Sequence, residues 1–222
     1  MKRIPEPELM DEDEQARAYS EADFDEPHDR FVSLFQEIFG SDAPGRFALD
    51  LGCGPADVTV RFARAYSHCV VHGVDGSKAM LQYGRRRLAQ HPDVQERIEL
   101  FCGVLPQVSL PMEHYDVVMS NSLLHHLSEP MILWESVGRY VRPGSCVFIM
   151  DLMRPRTTDE VDELVGRYAS GEPEVLRRDF YNSLLSAFEP GEIESQLREA
   201  GMSYLAVKVV SDRHLTISGR AR

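Results

Sequence analysis

The chain has 222 residues, 43% of them apolar, with 36 acidic against 24 basic side chains and a formal net charge of -12. That length and apolar content bury one sizeable core, and the acidity disfavours broad attraction to nucleic-acid backbones or anionic membranes. No apolar run approaches the ~18 residues of a membrane span, and the opening MKRIPEPELMDEDEQ has no apolar stretch of the kind a signal peptide carries, so a cytoplasmic protein with no membrane span is expected. Cys53, Cys69, Cys102 and Cys146 are widely spaced without a CxxC pair and stand in or beside predicted strands. They read as buried free thiols, and no metal site is expected.

Residues 1–40 read as an N-terminal helical segment, because EQARAYSEADF has helical spacing after an acidic start. From residue 46 short β-branched runs alternate with helical patterns, the signature of a mostly parallel sheet with crossover helices. The first strand is Arg46 to Leu51, followed by a helix from about Pro55 to Ala65. HCVVHGVD, ending at Asp75, is the second strand, and Ser77 caps the helix after it. RIELFCG and YDVVMSNS are the third and fourth strands. An amphipathic helix between Leu127 and Val141 is stopped by RPG before SCVFIMDLM, the fifth strand. Three polar helices follow without an intervening strand, the first two making a helical cap at about residues 155–188. SYLAVKVVSD and RHLTISGRA close the chain as an antiparallel hairpin on the sheet edge. The expected fold is therefore α/β, a Rossmann-like, doubly wound, seven-stranded sheet that fills residues 41–222 with the cap as an insertion.

The chemistry starts at FALDLGCGPADVT. A strand ending beside Asp50, then Gly52 and Gly54, then a helix start, brings bare backbone to the carboxyl end of a parallel sheet, where such folds bind ligands. A dinucleotide fingerprint places a third glycine where Asp57 stands, and a carboxylate there opposes a pyrophosphate. Asp75 ends the second strand about 20 residues on, in position for ribose hydroxyls. Two acids around a phosphate-free turn suit a nucleoside with a cationic or zwitterionic tail, a composition S-adenosylmethionine has. Alternatively, Asp50 and Asp75 each cap a local turn.

LDLGCGPADVT, VHGVDGSKAML, YDVVMSNSLLHHL and VRPGSCVFIMDL together resemble the class I S-adenosylmethionine-dependent methyltransferases in order and separation, over roughly residues 46–152. The resemblance implies that Asp50, Gly52 and Gly54 line the methionine end, that Asp75 holds the ribose, that Gly76 and Ser77 lie near the adenine, and that Asn121 adds a backbone contact. Many members carry Gly-Asp after the third strand. Here Gly103 is followed by Val104, which leaves the adenine to backbone groups and the apolar side chains of Cys102, Val104 and Leu105. Tyr19 and Phe24 are placed either in a lid, as in similar enzymes, or as an aromatic pair docking the N-terminal segment.

Methyl transfer needs in-line approach of an acceptor more than acid-base machinery, with a base for a hydroxyl or protonated amine. His125 and His126 follow the fourth strand at the ligand end, and either one serves as base or both pack the loop. Adjacent side chains on a helical turn diverge, so at most one is expected to face the site. Asp151 and Arg154 end the fifth strand, and Asp179, Tyr181 and Asn182 lie on the cap; His214 precedes the last run. The expected partner is a small, aromatic or partly apolar acceptor. A transfer RNA or protein substrate is the alternative, against which stand the acidic charge and NSLL in place of an Asn-Pro-Pro-Tyr tetrad. A catalytically silent cofactor-binding protein is the other alternative.

Overall fold

The computed structural model of the chain describes residues 1–6, 9–40 and 45–222. The expected domain boundary at residue 41 lies outside the described residues. Two helices, α1 (Asp13–Glu21) and α2 (Asp25–Phe39), precede β1 (Phe47–Leu51), α3 (Asp57–Ala65), β2 (Val70–Asp75), α4 (Lys78–Ala89), β3 (Ile98–Cys102), β4 (Tyr115–Asn121), α5 (Met131–Tyr140) and β5 (Val141–Leu152). Then come α6 (Thr158–Tyr168), α7 (Glu174–Ser186), α8 (Pro190–Glu199), β6 (Ala206–Val209) and β7 (His214–Arg220). The seven strands form one sheet in the order β3-β2-β1-β4-β5-β7-β6. All pairs are parallel except those made by β7, which runs antiparallel to both β5 and β6. The expected α/β, Rossmann-like doubly wound sheet is the one observed.

Period-two alternation divides the core between the two faces of the sheet. Leu49, Leu51, Val118, Val147 and Ile149 pack with Trp134, Val137, Ile193 and Leu197 of α5 and α8. Ala48, Val71, Val117, Phe148 and Met150 pack with Phe31, Phe35, Phe62 and Leu88 of α2, α3 and α4. Phe148 meets Phe31 edge-on at 4.8 Å and Phe35 at 5.6 Å, so α2 is part of the second core layer. A third, smaller cluster joins α6 and α7 above the end of β5 through Val161, Leu164 and Leu184.

Strand order reverses between β1 and β4, which leaves a crevice at their carboxyl ends. Asp50 pairs with Gly73 and Met119 on either side, so its side chain enters from the central strand. Two local expectations need correction. Arg142, Pro143 and Gly144 lie within β5, and the helix ends before them, at Tyr140; the register with β4 shifts between Tyr115 and Val117, which absorbs the irregular residues. Cys102 is exposed, whereas Cys53, Cys69 and Cys146 are buried: β3 is an edge strand, and Cys102 sits at its open end.

Candidate active site

The turn after β1 carries three positive φ angles in five residues: 72° at Gly52, 52° at Gly54 and 61° at Ala56. A side chain at Gly52 would put its Cβ within 2.8 Å of Leu123, so both backbone angle and space call for glycine. The amides of Gly52 and Cys53 donate to the Val74 carbonyl at 2.8 and 3.0 Å and fasten the turn to β2. Asp75 completes the fastening. One carboxylate oxygen accepts the Gly54 amide and the other the Ser77 amide, both at 2.8 Å. The local capping role considered for Asp75 is therefore present together with its position in the crevice. Burial raises its pKa, opposed by the Ser77 and Gly54 amides. Asp50 is buried and accepts the Thr59 hydroxyl at 2.6 Å. Burial, opposed by Thr59 and reinforced by the charge of Asp75, pushes its carboxyl up to about 7.

Asp57, at the place of a third glycine, begins α3. It meets His28 Nδ1 at 2.5 Å, Arg87 at 2.8 Å and Arg61 at 3.3 Å, which ties α2, α3 and α4 together at one carboxylate. Burial would raise its pKa, but the His28 contact and the two arginines hold it at about 2.

All ten residues expected at the cofactor line one cleft with about 1080 Å³ of empty space. Its apolar wall includes Leu105 and Ile132, and Val104 stands 56% exposed at its rim. Leu9 and Met10, which sequence reasoning missed, form its roof. A Cβ built on Gly76 would lie 2.8 Å from Leu9, and the Ser77 hydroxyl donates to the Met10 carbonyl at 2.8 Å. Tyr19 lies in the same wall with its ring 4.8 Å from that of Phe24. A nucleoside ligand fits this arrangement: bare backbone, a carboxylate on each side of the turn, Asp50 buried and Asp75 partly exposed, and an apolar slot beyond.

A second, larger chamber with about 2120 Å³ of empty space shares Tyr19, His28, Asn121, Ser122 and His126 with the first, so the two are continuous. His125 and His126 stand on a 3-10 turn after β4. His125 is buried, and its Nδ1–H donates to Asp151 at 2.6 Å. Asp151 also accepts the amides of Leu124 and Leu152, both at 2.8 Å, so it orients the imidazole from behind and lines neither cavity. Burial lowers the His125 pKa, and Asp151 and Glu6 more than offset it, so the net direction is upward. The expected divergence of the two histidines does not occur. Their ring centroids are 4.2 Å apart because both rings turn to the same carboxylate, Glu6. Glu6 carried no signal in the sequence beyond an acidic stretch.

Of the remaining candidates, Asp179, Asn182 and His214 line the second chamber. Burial and the Arg213 charge push His214 down to about 4. Tyr181 lines neither cavity; it packs against the α6–α7 cluster, as does the neighbouring Phe180, which also lines the chamber. Arg154 is also outside both cavities, held by Glu192 at 2.9 Å, Glu189 at 3.0 Å and the Ala187 carbonyl. The structure thus sets Tyr181 and Arg154 apart from both cavities, a choice of face that sequence periodicity leaves open.

Residues 48–144 match the family model of a methyltransferase domain. That segment is a methyltransferase domain, and the chain shares the fold of S-adenosylmethionine-dependent methyltransferases. It is 30% identical over 109 residues to a demethylmenaquinone methyltransferase of Lysinibacillus sphaericus, covering 49% of this chain and 45% of that one. It is 26% identical over 164 residues to a 27-O-demethylrifamycin SV methyltransferase of Amycolatopsis mediterranei, covering 73% and 56%. The match thus spans only about half the length of these curated relatives. Among solved structures, a SAM-dependent methyltransferase from Aquifex aeolicus shares the fold at a TM-score of 0.68 and 16% identity, over 92% of this chain and 96% of that one. The plantazolicin methyltransferase BpumL, solved with a desmethylplantazolicin analogue and S-adenosylhomocysteine, gives a TM-score of 0.68 at 14% identity over 94% and 90%. No helix among the described residues is long and apolar enough to cross a membrane.

Proposed function

We propose that this methyltransferase moves the methyl group of S-adenosylmethionine to a small molecule held in the second chamber. The observation that carries the reading is the continuity of the two cavities through Asn121, Ser122 and His126, with the glycine turn on one side and the His125–Asp151 pair on the other. The cofactor supplies a methyl already activated by its sulfonium charge. Asp75 is assigned to the ribose hydroxyls, for which each of its oxygens keeps acceptor capacity beyond the amide it already holds. Asp50 is assigned to the ammonium end, where a cation restores the charged form that burial disfavours. Gly103, Val104 and Leu105 are assigned to the adenine edge. Residues 9–19 act as the lid in this reading, since Leu9, Met10 and Tyr19 roof the cleft and would exclude water once a ligand is seated. The 155–188 segment serves as the cap of the acceptor, contributing Phe180 and Asn182 to a partly apolar wall.

The acceptor's reacting group belongs beside the Glu6–His125–His126 cluster, where Asp151 fixes the imidazole of His125 so that Nε2 points toward Glu6. The names of the similar proteins, which include a demethylmenaquinone and a demethylrifamycin methyltransferase, support a small organic acceptor. The direct experiment supplies methyl-labelled S-adenosylmethionine with a panel of aromatic and partly apolar hydroxylated compounds, and in parallel with bulk RNA and with protein. Label in a small compound alone is the expected result. Label confined to RNA or protein contradicts the proposal.

A further inference from the structure

We propose that Glu6, His125 and His126 form a binding site for a divalent first-row transition-metal ion, of the zinc type, at the wall of the second chamber. Glu6 Oε1 lies 3.7 Å from His125 Nε2 and 3.2 Å from His126 Nδ1, and one ligand atom from each of the three residues lies within 4.8 Å of the others. The 3.7 Å separation is too long for a hydrogen bond. Two bonds of ~2.1 Å at a tetrahedral angle place neighbouring donor atoms about 3.4 Å apart, between the two observed distances. Two imidazole nitrogens and one carboxylate oxygen are a donor set that suits zinc and its neighbours better than magnesium or calcium.

The surroundings are built as the outer shell of such a site is built. The Nδ1–H of His125 is committed to Asp151 at 2.6 Å, which fixes the tautomer that offers Nε2 as a ligand. The Ser183 hydroxyl donates to Glu6 Oε1 at 2.9 Å. The arm that brings Glu6 in is itself anchored: the Ile4 amide donates to the Leu185 carbonyl, and the Arg3 guanidinium donates to the carbonyls of Ser186, His125 and Leu127 while lying 4.0 Å over the Phe188 ring. Arg3 is therefore spent on main-chain oxygens. Among the described residues, the ion pairs of Glu6 and Asp151 are with these histidines alone and Arg3 acts on both carboxylates only from a distance, so a dication would meet a partly buried and a buried carboxylate that have no arginine or lysine in contact. Three protein ligands leave a coordination position open toward the chamber, fit for an oxygen of the acceptor such as an ionisable hydroxyl or a carboxylate.

The test uses tag-free, full-length protein stripped with a chelator and dialysed against zinc or cobalt(II), with elemental analysis for stoichiometry and the visible cobalt absorption as a signature of histidine and carboxylate ligation. One ion per chain is expected. Glu6→Gln and His126→Ala should each weaken it at least tenfold and abolish the cobalt spectrum, Asp151→Asn should weaken it about 10- to 100-fold, and His68→Ala, at an exposed position, should change nothing. Wild-type protein that retains no stoichiometric ion overturns the proposal, as does equal retention by Glu6→Gln and His126→Ala. Calorimetry with S-adenosylhomocysteine on the same samples reports the cofactor cleft and the folded state separately, so failure of the metal site and failure of the methyl-transfer reading are told apart.

Discussion

The cofactor cleft and the acceptor chamber share a wall, yet they are assembled in different ways. The floor of the cleft is made by strand ends and the turns that follow them, and their main-chain amides are fastened locally: those of Gly52 and Cys53 by the Val74 carbonyl, those of Gly54 and Ser77 by the Asp75 carboxylate. The chamber is made by side chains from the N-terminal arm, the turn after β4, the α6–α7 cap and the β6–β7 hairpin, brought together from opposite ends of the chain. A site fixed by the sheet is shaped before any ligand arrives, whereas one gathered from peripheral segments can change its acceptor without disturbing the sheet.

Substitutions in the two regions should therefore fail differently. The largest effect is expected for His125→Ala, with turnover reduced by about a hundredfold or more while the dissociation constant for S-adenosylhomocysteine stays within twofold of wild type. Steady-state kinetics beside calorimetry reads both. Next is Gly52→Ala, where a positive φ and a 2.8 Å approach to Leu123 act together. It should weaken cofactor binding at least tenfold and lower the melting temperature, because strain of this kind costs about 1–3 kcal/mol.

A smaller effect comes from pH. Asp50 is raised from its usual 3.8 to about 7, so between those values the folded state keeps a proton that the unfolded chain has lost, and the free protein loses stability as pH rises through that window. A bound ammonium favours the ionised form, so affinity for S-adenosylhomocysteine should rise several-fold from about pH 6 to about pH 8. Asp50→Asn should flatten that rise; a slope that persists would exclude Asp50 as its source. Smallest of all is Tyr181→Phe. The ring sits outside both cavities, and turnover should change less than twofold. A tenfold loss would bring Tyr181 back to the acceptor.

The same contrast governs what the sequence reveals. The strand order, the glycine turn and Asp75 are legible because they depend on spacing within a few tens of residues and on backbone angles few side chains tolerate. Glu6 is not legible as a site residue: it reads as one more acid in an acidic leader, and only the folded arm puts it against His125 and His126. The convergence of the two histidines was hidden for a related reason, since sequence spacing predicts backbone direction but not a shared carboxylate. Asp57 was legible as an obstacle to pyrophosphate; its partners Arg61, Arg87 and His28 come from three different helices and could not be. Tyr181 and Arg154 show that choosing among neighbouring positions on one element requires knowing which side the core lies on.

The central claim is that the β1 turn and Asp75 grip a nucleoside bearing an amino-acid tail. Calorimetric titration of S-adenosylhomocysteine into wild-type protein and Asp75→Ala tests it most directly. The account predicts one site per wild-type chain and an affinity at least tenfold weaker in the variant, as loss of charge-assisted hydrogen bonds requires. Equal affinity in the two proteins, or wild-type chains that take up a dinucleotide and ignore S-adenosylhomocysteine, would contradict it.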